Sequence, residues 1–313
     1  MNASLSLDLD NLWSYLKTHG DAAWVDYPSY LDLVVPHILE LAATSSTTIS
    51  VFVVGQDAAF EQNRELLSSL SAAGHEIGNH SFRHEPWIHT YSDGEVADEL
   101  KAAHDAIATA TGFEPTGFRG PGFSVSAAVL RTLAGMGYSY DASTLPTWIG
   151  PLARRYYFRS TNLSPAEAEK RSALFGSARD ALLPNSPYEW DLGTSRLAEI
   201  PVTTMPLARV PIHVSYLLYL SRVSTALAES YLRIALWLCR RRGVGPSILL
   251  HPLDLLGGDE IPALVFFPGM DMPGRLKRER TARYVDLLST RFEVGTMADH
   301  LAVVTPISAR RRP

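Results

Sequence analysis

One cysteine stands in the whole 313-residue chain, Cys239. A single thiol excludes an internal disulfide and any zinc site built on several cysteines. Its neighbours in IALWLCRR are bulky and apolar, the setting of a packed core thiol and not of an activated nucleophile. Excess charge is also missing. The 33 acidic residues nearly balance 28 Lys and Arg, for a formal net charge of −5. That leaves no basic footprint for a nucleic-acid partner. No apolar run is long enough to span a bilayer, since the best stretch, Val210 to Arg242, is broken by Arg222, Glu229 and Arg233 before about 20 apolar residues accumulate. The start, MNASLSLDLDNLW, has neither a basic n-region nor an apolar h-region, so the expected location is cytoplasmic. Internal repeats and low-complexity segments are absent as well.

What is present is a periodic α/β pattern. SLSLDLD alternates like a strand and ends on Asp8 and Asp10. Helical spacing follows over Tyr30 to Ala43, and TISVFVV, Thr48 to Val54, reads as a buried strand. Further helices are predicted over Asn63–Ala73, Asp93–Thr111 and Ser126–Met136, the second with a capping signal at Ser92 and Glu95. Short strands are predicted at His75–Gly78, Thr116–Arg119 and Tyr138–Asp141. Strand-like segments return at Leu197–Val202, Ser247–Leu250 and Phe292–Gly295. The alternation argues for a parallel sheet or barrel. Residues 1–305 read as a single domain, interrupted by a polar insertion at about 148–199. Residues 306–313 read as an unstructured tail.

In such folds the chemistry sits at the C-terminal ends of the strands. Asp8, Asp10, His80, His84, Arg119 and His251 all fall at or just after predicted strand ends. The segment GNHSFRHEPW places His80 and His84 four residues apart. On a helix they would share a face near enough to share an ion; on a turn they could be two solvated polar residues. Asp10 with His80 and His84 makes a carboxylate-and-two-imidazole set suited to one divalent ion, zinc above all, with cobalt, nickel and manganese as alternatives. Asp8 beside it is a candidate base, Arg119 the cation that keeps that base ionised, and His251 a candidate acid.

Together these motifs resemble the polysaccharide deacetylases of the NodB homology type, carbohydrate esterase family 4. SLDLDN resembles the family's first motif in a variant form with one residue between the acids. His80-Ser81-Phe82-Arg83-His84 matches the second. Arg119-Gly120-Pro121-Gly122-Phe123 resembles the third, and ILLHPLD, ending its strand in His251, the last. TISVFVVG, YDAST and EIPVTTMP are similar to further family segments. The resemblance implies a distorted (β/α)7-type barrel. It implies Asp8 as base, Asp10, His80 and His84 as metal ligands, Arg119 as the residue that orients Asp8, the Gly122 N–H as part of an oxyanion hole, and His251 as general acid. Pro121, Phe123 and Trp148 are candidate substrate contacts. The family's Asp-Trp motif has no match, since Trp190-Asp191 has the order reversed. Asp254 and Asp141 are therefore the candidates to orient His251.

The implied activity is metal-dependent removal of an N-acyl group, acetyl first, from an amino sugar of a glycan or lipid-linked glycan precursor. Two alternatives stand beside it: an amidase or deformylase acting on another small or cyclic amide, and a sugar-binding module without turnover. An Asp-x-Asp pair also occurs in glycosyltransferases, but usually deep in a nucleotide-binding domain and not on a first strand. His75 and His89 read as structural or surface residues, and His213 as structural or as part of a substrate groove. The stretch Met205–Arg242, rich in Leu, Tyr and Trp and ending in three arginines, reads as barrel helices or as a peripheral contact with the inner face of a membrane. Oligomeric state is left open.

Overall fold

The computed structural model describes residues 1–150, 152 and 178–311. Strand β1 (Asn2–Leu9) lies next to one end of the strand order and has three partners. It pairs in parallel with β2 (Ser50–Val53), β8 (Ser247–Leu250) and, at its start, β9 (Glu293–Gly295). Outward from β2 run β3 (Glu76–Asn79), β4 (Gly117–Phe118), β5 (Tyr140–Asp141) and β7 (Arg196–Glu199), all parallel. Then β6 (Tyr188–Asp191) runs antiparallel to β7, and β10 (Ile307–Arg311) is parallel to β6. The α/β class and the NodB-type architecture are as expected from the sequence. Among the described residues the ladder ends at β8 and β10, so strand hydrogen bonds do not close the barrel.

The alternation of SLSLDLD has a particular meaning here. Leu5, Leu7 and Leu9 pack into the main core with Val34, Ile38, Val51 and Leu250. Ser4, Ser6 and Asp8 point the other way yet are equally buried. Ser4 meets His300 and Ser6 meets Arg119. The polar side of the strand therefore lines the barrel interior and leads to Asp8.

The helices are α1 (Leu12–His19), α2 (Leu31–Thr44), α3 (Gly55–Ala59), α4 (Arg64–Ala72), α5 (Asp93–Thr111), α6 (Ala127–Gly135), α7 (Val214–Ser221), α8 (Thr225–Arg241), α9 (Gly274–Ser289) and α10 (Met297–Val303), the last on the polar side of β1, where its His300 meets Ser4 and its Met297 meets Arg119. Helix α5 begins with the predicted capping box, Ser92 and Glu95. Met205–Arg242 yields α7 and α8, separated at Ser224, whose hydroxyl caps α8. Among the described residues no helix is long and apolar enough to cross a membrane.

Two expectations about chain organisation differ from the structure. The supposed tail forms β10, because Ile307 finds the free edge of β6. The supposed insertion is part of the sheet at its C-terminal end, since β6 and β7 form a hairpin there; its residues 151 and 153–177 lie outside the described residues.

Candidate metal centre and its neighbours

The His80–His84 segment is a loop, not a helix, so the helical route to a shared face does not apply. The chain leaves β3, and Ser81 and His84 adopt positive φ values of 62° and 51°, a region that non-glycine residues rarely occupy. This backbone is clamped from several sides. The Ser81 N–H donates to Asn79 Oδ1 at 2.9 Å. The carbonyls of Ser81 and Phe82 accept from the N–H groups of Gly55 and Gln56. From α5, Glu99 accepts the N–H groups of Phe82 and Arg83 and pairs with the Arg83 guanidinium at 2.9 Å. Such strain persists where the surroundings over-determine it, and here it turns both imidazoles toward Asp10.

Asp10 Oδ1 lies 2.8 Å from His84 Nε2 and 3.3 Å from His80 Nε2. The three groups are buried, and their ligating atoms all lie within 4.8 Å of one another. His80 Nδ1 sits 2.6 Å from the Arg119 carbonyl oxygen. A carbonyl only accepts, so Nδ1 carries the hydrogen and the neutral ring presents a bare Nε2 lone pair. That lone pair faces a carboxylate oxygen that itself makes no hydrogen bond of good geometry. Acceptor against acceptor is unfavourable unless an electrophile lies between them. Burial disfavours the charge on Asp10, but His84 and His80 outweigh it and hold the carboxyl well below its usual range. Burial likewise opposes charge on His80, and the negative field of Asp8 and Asp10 overrides it and raises the imidazole. A field that favours a proton there favours a divalent cation equally. The donor set fits a tetrahedral ion with one position left open.

Asp8 Oδ1 accepts from Arg119 Nη1 at 2.7 Å. Arg119 is fully buried, also donates to Ser6 Oγ and the Ala142 carbonyl, and lies over the Phe52 ring at 4.4 Å. Its carbonyl fixes His80 while its guanidinium fixes Asp8. The other carboxylate oxygen of Asp8 is 4.0 Å from His251 Nε2. Pro121 is buried, Gly122 exposed and Phe123 half-buried. Gly122 and Phe123 both turn through positive φ. Gly120 is required for packing, because a Cβ there would lie 2.0 Å from the Ser124 carbonyl oxygen. Trp148 is 46% exposed, with its indole N–H bonded to the Ala208 carbonyl.

The orienting group for His251 differs from expectation. Its Nδ1 meets Ser215 Oγ at 3.2 Å, a residue of α7 that no motif marks. Asp254 accepts the backbone N–H of His251 at 2.9 Å and bonds to Ser215, so it acts on the ring through the serine. Asp141 is not near the ring. It is hydrogen-bonded to Ser143 and pairs in register with Glu199 on the neighbouring strand. His213 packs edge-on to His251 at 6.2 Å, and burial, with His251 beside it, pushes it down to about 3. His75 is buried and lies outside the centre. The half-buried His89 bonds to Ser124.

Sequence reading also missed the floor of the centre. Asp57 accepts from Asn11 Nδ2 and Trp13 Nε1 at 2.8 and 2.9 Å, and burial raises it to about 7. The Tyr30 hydroxyl donates to the Asp10 carbonyl at 2.5 Å. Tyr15 is hydrogen-bonded to Asp10 and packs edge-on against Phe267.

A buried carboxylate–bis-imidazole cluster with an arginine-held acid beside it stands at the strand ends of an α/β sheet, a candidate divalent-ion centre. Residues 23–140 match the family model described as polysaccharide deacetylase. Over that segment the chain is similar to the polysaccharide deacetylase family. A chitin deacetylase from Pestalotiopsis is 28% identical over 111 residues, which is 35% of this chain and 37% of that protein. The match thus spans little more than a third of that relative's length. A Mycobacterium smegmatis protein solved as a candidate polysaccharide deacetylase superposes with a TM-score of 0.60 at 19% identity, over 99% of this chain and 94% of that one, and shares the fold. A family 4 carbohydrate esterase from Streptomyces lividans in complex with acetate is 23% identical over 45% of this chain and 61% of that one, with a TM-score of 0.36.

Proposed function

We propose that the chain is a metal-dependent hydrolase that removes an N-acyl group, most simply acetyl, from an amino sugar. The observation that carries this reading is the convergence of Asp10 Oδ1, His80 Nε2 and His84 Nε2 beside the Arg119-held Asp8. A divalent ion such as zinc bound by these three residues would supply a Lewis acid and lower the pKa of water. Asp8 takes a proton from the attacking water, whose oxygen bonds to the amide carbon. The Gly122 N–H is the candidate donor to the oxyanion that develops. His251 gives a proton to the leaving nitrogen as the C–N bond breaks, held in register by Ser215. The products are a free amine and a carboxylate. Pro121, Phe123 and Trp148 are the candidate sugar contacts.

The exposed Tyr219, Val223, Leu227, Ile234 and Trp237 on and between α7 and α8 support the finer part of the reading. Arg222 lies over the Tyr219 ring and Arg241 over the Trp237 ring. Aromatic and aliphatic side chains rimmed by arginines suit an anionic membrane surface, and through it a lipid-linked glycan at the inner face. Co-sedimentation with phosphatidylglycerol vesicles at low salt, lost in Trp237→Glu, tests that part.

The decisive experiment is elemental analysis of the purified protein beside Asp10→Ala, His80→Ala and His84→Ala. About one divalent ion per chain is expected in the parent and far less in each variant. A parent that stays metal-free after incubation with zinc, cobalt, nickel or manganese defeats the mechanism. Amine and acetate released from N-acetylated oligosaccharides complete the case. An opened ring from a cyclic amide would favour an amidase instead, and retention of sugars without turnover a binding module.

A further inference from the structure

The segments YDAST and EIPVTTMP have no part in the chemistry above, yet they meet beneath it. Asp141 ends β5 and Glu199 ends β7, and the two are direct partners across the parallel ladder. Both are fully buried, and Asp141 Oδ2 has no other hydrogen-bond partner. We propose that Asp141 and Glu199 share one proton and act together as a positioning pair that holds Arg119 and the Gly120–Phe123 turn in place.

Two buried carboxyls facing each other across one ladder favour a shared proton. Two ionised carboxylates have no hydrogen to place between them, and side by side in a dry interior they repel. The donors that reach the pair are neutral. Ser143 Oγ donates to Asp141 Oδ1 at 2.6 Å. The Thr144 N–H and hydroxyl donate to Glu199 Oε1 at 3.1 and 2.6 Å, and Trp190 Nε1 to Oε2 at 2.8 Å. From β4, Arg119 is the charged neighbour, but its hydrogen bonds go to Asp8, Ser6 and the Ala142 carbonyl. From β6, the titratable group opposite Glu199 is Tyr188, a phenol. Burial raises both carboxyls, and the charge of Asp141 adds to the rise at Glu199.

The pair grips residues 142–144 from both sides, and those residues carry the site. The Ala142 carbonyl accepts Arg119 Nε at 3.0 Å. Ser143 Oγ accepts the Gly120 N–H at 2.8 Å while donating to Asp141. A shift of the pair therefore moves the guanidinium that orients Asp8 and the turn that presents Gly122.

The test uses E199Q, which keeps the shape and accepts from Thr144 and Trp190 but needs no shared proton, with Glu199→Ala as the disruptive partner. Because the folded state retains a proton that the unfolded chain has released, the parent loses stability as pH rises from the ordinary carboxylate range toward the raised values. The melting temperature of E199Q should therefore gain on the parent as pH rises. The infrared difference spectrum, parent minus E199Q at neutral pH, should show a carboxylic-acid C=O band. Parallel melting curves, or no such band, overturn the shared proton. These two readouts need no substrate, so they stand apart from the proposed reaction. On the reading that this is a deacetylase, Glu199→Ala should lower kcat by roughly ten- to a hundredfold with KM little changed, and E199Q should recover most of the loss. Unchanged kcat in Glu199→Ala overturns the positioning role.

Discussion

Arg119→Met is the perturbation with the clearest expected magnitude. Methionine fills most of the arginine stem but returns nothing to Asp8, which is only 5% exposed and receives its charged hydrogen bond from this guanidinium. Ser6 Oγ and the Ala142 carbonyl lose their donor at the same time. Removing one partner of a buried ion pair costs about 3–5 kcal/mol, because the other charge is left uncompensated. For a chain of this size that corresponds to a fall in melting temperature of roughly 5–8 °C. The assay is thermal unfolding at neutral pH with a chelator present, so that metal binding does not contribute. Asp8→Asn combined with Arg119→Met removes the orphaned charge and should recover at least half of the loss. A cost below about 1 kcal/mol for the single variant, or a double variant no more stable than the single, refutes the reasoning, since either result means the charge at Asp8 is not held by Arg119.

Three further outcomes are expected. His251→Ala should lower kcat on an N-acetyl sugar by about 10²–10⁴-fold but act far less on an aryl ester, whose leaving group needs no proton; equal losses on both would remove His251 as the acid. Burial pushes His300 down to about 4, so the folded protein keeps it neutral while the unfolded chain takes up a proton. Stability should then fall as pH drops from about 6.5 to about 4, by up to about 3 kcal/mol from this residue. His300→Gln, which can still bond to Ser4, should flatten that part of the pH–stability curve measured by denaturant unfolding. Gly120→Ala must displace the Ser124 carbonyl and should cost about 1–3 kcal/mol, with kcat lowered in parallel; an unshifted denaturation midpoint would show that the turn gives way freely.

Elements with strong period and a cap were legible in the sequence. Helix α5 starts at its capping box and runs over the predicted residues, and Ser247–Leu250 forms the predicted strand. Those signals are local. The sheet pairing of β10 was not legible, because its arginine-rich composition reads as solvated, and only the open edge of β6 makes it a strand. The candidate metal ligands were legible as residue types at strand ends. Their convergence was not, because it depends on two left-handed residues, Ser81 and His84, and on Glu99 holding the loop from another element. Glu99 did leave a trace, since a carboxylate within the buried stripe of Val96, Leu100 and Ala103 demands a partner. Ser215 left none, because its link to His251 spans 36 residues and is made only by packing.

The order of the strands also sets when the site comes into being during synthesis. Asp8, Asp10, His80, His84 and Arg119 come from β1, β3 and β4 and the turns that follow them, all within the first 119 residues. His251 arrives with β8, which adds to β1 beyond the residues of β2 and after every strand between. The candidate ion-binding residues are therefore all synthesised long before the candidate proton donor. On the proposed reading, the nascent protein would through that interval hold its candidate cation site without the candidate acid, and hydrolysis would await the C-terminal third being laid against the first strand.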